Sequence, residues 1–158
     1  MQITIHVTVP SGTPAGKNGQ FTIRATSTTN SAIQDTGEGV VTVVGGSPRL
    51  GASIASKSSS GTTLMVNVQI TNNGPGPAVG TMITRFVART LSGSGTPSVT
   101  APVVPYLIGN LAVNGSAIVP LTLTVPVTVI RFSLTENGTV QDASGRSYTY
   151  SISEVVQP

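Results

Sequence analysis

Apolar and polar residues alternate along most of this chain, and a period of two is typical of a β-strand with one buried face. In the clearest run, every second residue is a branched apolar one: Leu64, Val66, Val68 and Ile70. The run ends at Asn73-Gly74-Pro75-Gly76-Pro77. We expect Asn73-Gly74 to supply positive φ there, and the two prolines remove backbone donors. The sequence therefore predicts a strand that runs into a tight turn.

The first 44 residues contain three further strand candidates. They cover residues 3–9, 21–26 and 40–44, with a turn region at 10–19 and a polar loop through 35–39. Three strands can bury one face only if another layer covers it. We therefore interpret residues 1–44 as the end of an upstream module, or as strands that dock on the rest, and the chain as a segment of a longer polypeptide.

The main domain is predicted to follow a short linker, Gly-Gly-Ser-Pro, at residues 45–48. From residue 49 to residue 158 we predict eight strands: 49–56, 62–72, 78–91, 103–111, 116–125, 128–135, 138–141 and 147–156. Turn signals between them include Asn114-Gly115, Asn137-Gly138 and Ser144-Gly145. Strands of this length at near-regular spacing, without helical periodicity, favour an all-β fold, an antiparallel immunoglobulin-like β-sandwich.

The candidate core follows from the phase of each strand. Three strands carry apolar residues in one phase: Val119, Leu121, Leu123 and Val125; Ile130, Phe132 and Leu134; and Tyr148, Tyr150 and Ile152. The strand at 78–91 fits two phases. We favour Met82 and Phe86 on the inner face, because the opposite phase carries Arg85 and Arg89.

Charged residues are scarce, at 8% of the chain against roughly 25% in an ordinary soluble domain. A formal charge of +3 from 8 basic and 5 acidic residues, without a Lys/Arg cluster, is too sparse for a surface that follows phosphates. The chain has no cysteine, so it can form neither a disulfide nor a thiolate metal site. No apolar run approaches the ~18–20 residues that a membrane-spanning helix needs. We therefore expect neither nucleic-acid binding nor membrane insertion.

Three stretches carry a resemblance to a known family: ITNNGPGPA at 70–78, IGNLAVNGSAIVPLTL at 108–123 and VTVPSGTPAGKNGQFTIRATST at 7–28. The first two resemble the CARDB-type (cell-adhesion-related) repeat modules of bacterial surface and secreted proteins, and the third looks like the closing strands of another such repeat. The resemblance implies an extracellular, immunoglobulin-like, non-catalytic module that serves as a spacer or adhesion element. Some relatives bind calcium, and their ligand carboxylates have no clear counterparts here.

Candidate catalytic groups are few. His6 is the sole histidine, and without cysteine the usual nucleophile–base pairs would all depend on it. It lies in the polar phase of its predicted strand, so we expect it to face solvent. An enzyme is therefore not expected.

The carboxylates Asp35, Glu38, Glu136 and Asp142 are the candidate metal ligands. Asp35 and Glu38 share a predicted loop, and Glu136 and Asp142 flank a predicted hairpin. A calcium site needs roughly six to eight oxygens, and either pair could contribute together with backbone carbonyls. The favoured alternative is that these carboxylates cap local amides in turns. We therefore expect no cofactor.

Five side chains are candidate ligand-binding residues: Arg85, Arg89, Arg131, Tyr148 and Tyr150. The arginines could form a basic stripe that binds an acidic polysaccharide, and the alternative is a solvated strand face whose charges prevent edge pairing. Tyr148 and Tyr150 point the same way and could stack on a sugar ring. Packing at the core or an edge is the favoured interpretation of both tyrosines.

Two further motifs invite covalent modification. An intramolecular Lys–Asn isopeptide bond would need Lys17 or Lys57, but we expect both lysines to be exposed in turns. Asn114-Gly-Ser and Asn137-Gly-Thr match the N-glycosylation acceptor pattern. In a chain of bacterial character we interpret both as hairpin turns.

Three functions stay open. The first is an extracellular or cell-surface structural and adhesion module, whose partners are neighbouring modules of the same polypeptide. The second is a glycan- or protein-binding module that uses loops or Tyr148 and Tyr150. The third is a filament subunit that self-associates through β edges by strand exchange, because few charges guard those edges.

Overall fold

The computed structural model describes residues 4–10, 13, 17–43 and 45–158. These residues form antiparallel β-sheets and no helix, so the predicted all-β class is confirmed. Within them no helix is long and apolar enough to cross a membrane. The chain divides into two compact units, Met1–Gly45 and Gly46–Pro158, which we call the N-terminal and C-terminal units.

In its described residues, 4–10, 13, 17–43 and 45, the N-terminal unit contains one antiparallel hairpin, β1 (Asn18–Thr26) and β2 (Gln34–Thr42). The predicted loop at 35–39 is wrong, because these residues belong to β2. Gly39 pairs with Phe21, and a Cβ at Gly39 would lie 2.2 Å from the Phe21 ring. The glycine therefore makes room for a cross-strand aromatic ring and does not mark a turn.

Two other strand predictions in this unit differ from the structure in different ways. Residues 4–10 form no strand, so the candidate at 3–9 is wrong for its described part, and residue 3 lies outside the described residues. The candidate at 40–44 is the end of β2, which stops at Thr42, and residue 44 also lies outside the described residues.

The C-terminal unit contains eight strands. They are β3 (Leu50–Ser60), β4 (Thr63–Asn72), β5 (Ala78–Gly93), β6 (Ser98–Ala101), β7 (Tyr106–Leu111), β8 (Ser116–Thr124), β9 (Val129–Gln141) and β10 (Ser147–Val156). One sheet has the order β10-β9-β5-β7 and the other β3-β4-β8-β6. Apolar residues of both sheets contribute to one core, so the arrangement is sandwich-like.

The strand predictions for this unit fail at two places. The short strand β6 was not predicted, and the segments 128–135 and 138–141 are one continuous strand, β9. Asn137-Gly138 therefore lies inside a strand. A Cβ at Gly138 would lie 2.5 Å from the Tyr150 ring and 2.0 Å from the carbonyl oxygen of Met82, so close packing requires this glycine.

The predicted alternation is confirmed in β4 and β8. Their inward residues are at most 2% exposed: Leu64, Val66, Val68, Ile70, Val119, Leu121 and Leu123. In β9, Phe132 and Leu134 are fully buried as predicted, but Ile130 is 65% exposed. The pairing of β9 with β5 shifts register on both sides of Ser92. At this end of β9, Val129 faces the core in place of Ile130.

The β5 strand uses both of its phases. Ile83 is fully buried, which contradicts the prediction that Met82 faces inward, whereas Phe86 packs against the core as predicted. A register shift between Ile83 and Arg85 adds one residue and changes which phase faces the core. A bulge therefore explains why the sequence fits two phases.

Glycine and asparagine in the turns act differently from the prediction. Gly74 does not have positive φ; a Cβ there would lie 2.4 Å from the backbone nitrogen of Arg49. Asn114 does have positive φ (62°), but its turn joins β7 in one sheet to β8 in the other, so it is not a hairpin. The first turn requires glycine because of close packing, and the second requires left-handed backbone.

Candidate functional site

The turn between β9 and β10 is organised by Asp142, which is 5% exposed. Its Oδ1 accepts hydrogen bonds from the Ser144 amide (2.9 Å), the Ser144 hydroxyl (2.6 Å) and the Arg146 amide (3.0 Å). These bonds, led by that of Ser144, lower the pKa of Asp142 to about 2. The carboxylate therefore caps local amides, as a turn carboxylate should.

Tyr148 and Tyr150 lie on the inner face of β10, half-buried against the core. The Tyr148 hydroxyl donates to Oδ2 of Asp142 (2.9 Å), and the Arg146 guanidinium lies 5.4 Å from its ring centroid. The Tyr150 hydroxyl donates to the Met82 carbonyl (3.1 Å). Both rings thus take part in the packing of the unit, which agrees with the favoured interpretation of them.

Glu136 is 1% exposed on the inner face in the middle of β9. Its strand partners are Phe86 on β5 and Ile152 on β10. Burial, followed by the charge and the side chain of Glu154, raises the pKa of Glu136 to about 9. Sequence reasoning placed Glu136 beside a hairpin turn, and it missed Glu154 as its neighbour because Asn137-Gly138 suggested that the strand ended there.

Arg85, Arg89 and Arg131 lie on exposed positions of the sheet that contains β5 and β9. Arg89 pairs with Ser133 and Arg85 with Asn137, whereas Phe86 of the same strand packs against the core. The two β5 arginines therefore share the outer face, as the alternation predicts. On β9, Ser133 and Thr135 lie in the same phase as Arg131 and Asn137, and both are half-buried.

The remaining candidate ligands are dispersed. Asp35 and Glu38 lie three residues apart on β2, so their side chains point to opposite faces, and both are exposed. His6 is exposed as expected. Within residues 4–10, 13, 17–43 and 45–158, no three acidic, histidine or cysteine side chains could hold a metal together. Lys17 is exposed before β1, and Lys57 Nζ donates to the carbonyl of Gln157.

Asn72 is the hydrogen-bonding centre of one end of the C-terminal unit, and the sequence reading missed it. Its fully buried side chain accepts from the amides of Arg49 (3.2 Å) and Gly74 (3.1 Å). Its Nδ2 donates to the carbonyls of Gly76 (2.8 Å), Ala112 (3.2 Å) and Leu111 (3.3 Å). One side chain thus connects the start of β3, the end of β4 and the end of β7. The sequence signal that could have identified Asn72 is a polar asparagine directly after the apolar alternation of β4.

A cleft of about 540 Å³ lies between β5 and the segment that contains β6. Residues 85–88 line one side, and residues 97–100 and 102–104 line the other. β5 pairs with β7 only as far as Ile83, although its ladder with β9 continues to Gly93. Within the described part of the chain, the β5 edge beside this cleft therefore has backbone groups without a strand partner.

A known protein similar to this chain is found among solved structures. No family model matches it, and no curated protein is similar to it. Among solved structures it is similar to one described as "X-ray structure of Northeast Structural Genomics Consortium target SoR45". The identity is 12%, the TM-score is 0.41, and the match covers 72% of this chain and 87% of the other.

Proposed function

We propose that the protein is a non-catalytic, extracellular structural and adhesion module, in which the C-terminal unit acts as a spacer between neighbouring modules of the same polypeptide. The observation that carries this proposal is that the first and last strands of the unit run in the same direction. The chain therefore enters the unit at one end and leaves it at the other.

Strand pairing supplies the geometry. Leu50, at the start of β3, pairs with Asn72, whose side chain reaches the end of β7; β7 pairs there with the start of β5. The end of β10 lies at the opposite end, where Lys57 contacts Gln157. At ~3.3 Å per residue, the seven steps along β3 from Leu50 to Lys57 separate the two points by about 23 Å.

This geometry suits a module that carries load. Tension between the two ends acts along β3 and β10, so it shears the β3–β4 and β9–β10 ladders. When two paired strands are sheared, all of their hydrogen bonds resist the force together. When the strands are pulled apart from one end, the bonds break one at a time. Each bond contributes about 1 kcal/mol, so collective loading raises the barrier to forced unfolding.

Strand order supports the immunoglobulin-like part of the proposal. In constant-type immunoglobulin domains, strands ABED form one sheet and CFG the other. If β7 is set aside, the other seven strands take letters A to G in chain order. The sheet β3-β4-β8-β6 then has the order A-B-E-D, and β10-β9-β5 has the order G-F-C. β7 is an additional strand beside β5.

Single-molecule force spectroscopy tests the spacer. Because the chain has no cysteine, introduced cysteines give unique attachment points. We expect a higher unfolding force when the C-terminal unit is pulled between residues 46 and 158 than between residue 46 and Ala143→Cys. Ala143 lies in the β9–β10 turn, at the same end as the start of β3, so that pull peels the strands. Equal forces in the two directions would contradict a load-bearing role.

A second candidate function, assembly by strand addition, is favoured by the open edge of β5. The proposed donor is residues 4–10 of another copy. In this segment, which forms no strand, Ile5, Val7 and Val9 are 45–52% exposed and alternate with polar residues. An extended segment of this kind can add its backbone to an open sheet edge while alternate side chains fill the cleft.

Sedimentation equilibrium over a wide concentration range tests this assembly. We expect self-association of the full chain, its loss in Val7→Asp and its retention in Thr8→Asp, a charge placed on the opposite face of the donor. A wild-type chain that stays monomeric, or equal effects of the two variants, would rule out strand addition by this segment.

A further inference from the structure

The strongest unassigned feature is a pair of buried carboxyl groups in the last two strands. Glu136 of β9 pairs with Ile152, and Glu154 lies two residues further along β10, where it pairs with the fully buried Leu134. The two glutamates therefore occupy diagonal positions on the inner face of the sheet. At such positions long side chains reach each other.

Among the residues that the structure describes, none donates a hydrogen bond to any of the four carboxyl oxygens of Glu136 and Glu154, although all four are buried. A buried polar group is normally paired, and a buried carboxylate without a partner is strongly disfavoured. Two adjacent carboxylates would add like-charge repulsion. A proton on one of them removes the like-charge repulsion, and the protonated carboxyl donates a hydrogen bond to the carboxylate that stays charged, which reduces the penalty of burying it.

We propose that Glu136 and Glu154 bind one proton between them and form a pH-sensitive latch that holds β10 on the C-terminal unit. β10 is an edge strand, bonded to β9 alone within its sheet. When the proton leaves to solvent, both carboxylates are charged and must be hydrated. Water reaches them most readily if β10 separates from β9, so deprotonation loosens β10.

The groups around the pair support protonation over ion pairing. Tyr148 and Tyr150 are the other titratable groups on this face of β10. Tyr148 donates to Asp142, and burial together with Glu136 raises the pKa of Tyr150 to about 12, so Tyr150 stays neutral. β5 presents Phe86 and Ala88, and β3 presents Leu50, Ala52 and Ile54.

Two basic side chains, Lys57 of β3 and Arg131 of β9, line a crevice beside the end of β10. The Lys57 ammonium is bonded to the carbonyl of Gln157. The pKa values of Glu136 and Glu154 are raised despite these two cations, with burial as the main cause.

A carboxyl ¹³C NMR titration of the wild-type full chain tests the proton directly. We expect a glutamate resonance pair that loses one proton at least about 2 pH units above the ordinary glutamate value of ~4.3. Glu38, which is exposed, is the internal control. Two ordinary midpoints for Glu136 and Glu154 would overturn the proposal, and this measurement does not depend on whether any variant folds.

Hydrogen exchange tests the latch. We expect amide exchange in β10 to rise more than tenfold from pH 6 to pH 9 beyond the intrinsic pH dependence, with exchange in β4 unchanged. Glu136→Gln, whose amide can donate to Glu154 at every pH, should abolish the excess, and Glu38→Gln should keep it. Equal excess in wild type and Glu136→Gln, or no excess in wild type, would overturn the latch.

Discussion

The two acids Glu136 and Asp142 lie six residues apart on the same strand–turn segment, both nearly inaccessible, yet their pKa values shift in opposite directions. Asp142 receives four hydrogen bonds from its own turn and from Tyr148. Glu136 faces apolar side chains and Glu154, without a donor. Burial alone therefore does not set the charge of an acid; the donors supplied by its surroundings do.

The largest expected effect is on the pH dependence of stability. The folded pKa of Glu136 lies above its unfolded value, so its contribution is fully present below about pH 4.5 and is lost as pH rises toward 9. We expect the free energy of unfolding of the C-terminal unit to fall by about 1 kcal/mol per pH unit between pH 5 and 8. Urea denaturation at several pH values measures it.

The same experiment on Glu136→Gln sharpens the comparison. In this variant, the free energy of unfolding should depend much less on pH above pH 5 than in the wild type. A wild-type unit that becomes more stable toward pH 8 would contradict the assignment of Glu136 as a protonated group.

The next effect concerns Gly138, which lies between the two acids. Gly138→Ala places a Cβ against the Tyr150 ring and the Met82 carbonyl, and overpacking of this kind costs roughly 2–3 kcal/mol. The matched control is Gly19→Ala in β1, where nothing lies within 4 Å of the new Cβ. Thermal unfolding should separate the two variants, and equal midpoints would contradict the close packing of Tyr150.

The smallest effect belongs to Asp142. Its lowered pKa means that it stabilises the fold above about pH 4 and that this contribution is lost as pH falls toward 2. Asp142→Ala should lower the unfolding temperature at pH 7 and change it little near pH 2. A loss of similar size at both pH values would show that the turn needs the side chain for a reason other than its charge.

Sequence patterns were reliable where a strand has one buried face. The alternation in β4 and β8 identified the core correctly, because the β period of two leaves few choices when one side is apolar. The patterns failed where one residue breaks the period. The bulges near Ile83 and Ser92 change the inward phase, and no local signal in the sequence marks them.

The site around Glu136 and Glu154 was harder to predict, because its residues are distant in sequence or lie beside sequence patterns typical of turns. Asn137-Gly138 suggested a hairpin, and the Met82 carbonyl on β5 together with the Tyr150 ring on β10 explains a glycine in the middle of β9. Glu136 and Glu154 are 18 residues apart in the chain and become neighbours through the register of β9 and β10.

The sequence alone determined the all-β class, the apolar phases of β4 and β8 and the end of β4 at the following turn, because these depend on local periodicity and on the prolines that stop a strand. The tertiary structure decided which acids are charged, which glycines make room for rings and that the first and last strands of the C-terminal unit run in the same direction. These properties depend on strand register and on contacts across the sheets. A period of two specifies which residues face inward, and it carries no information about which residues they meet there.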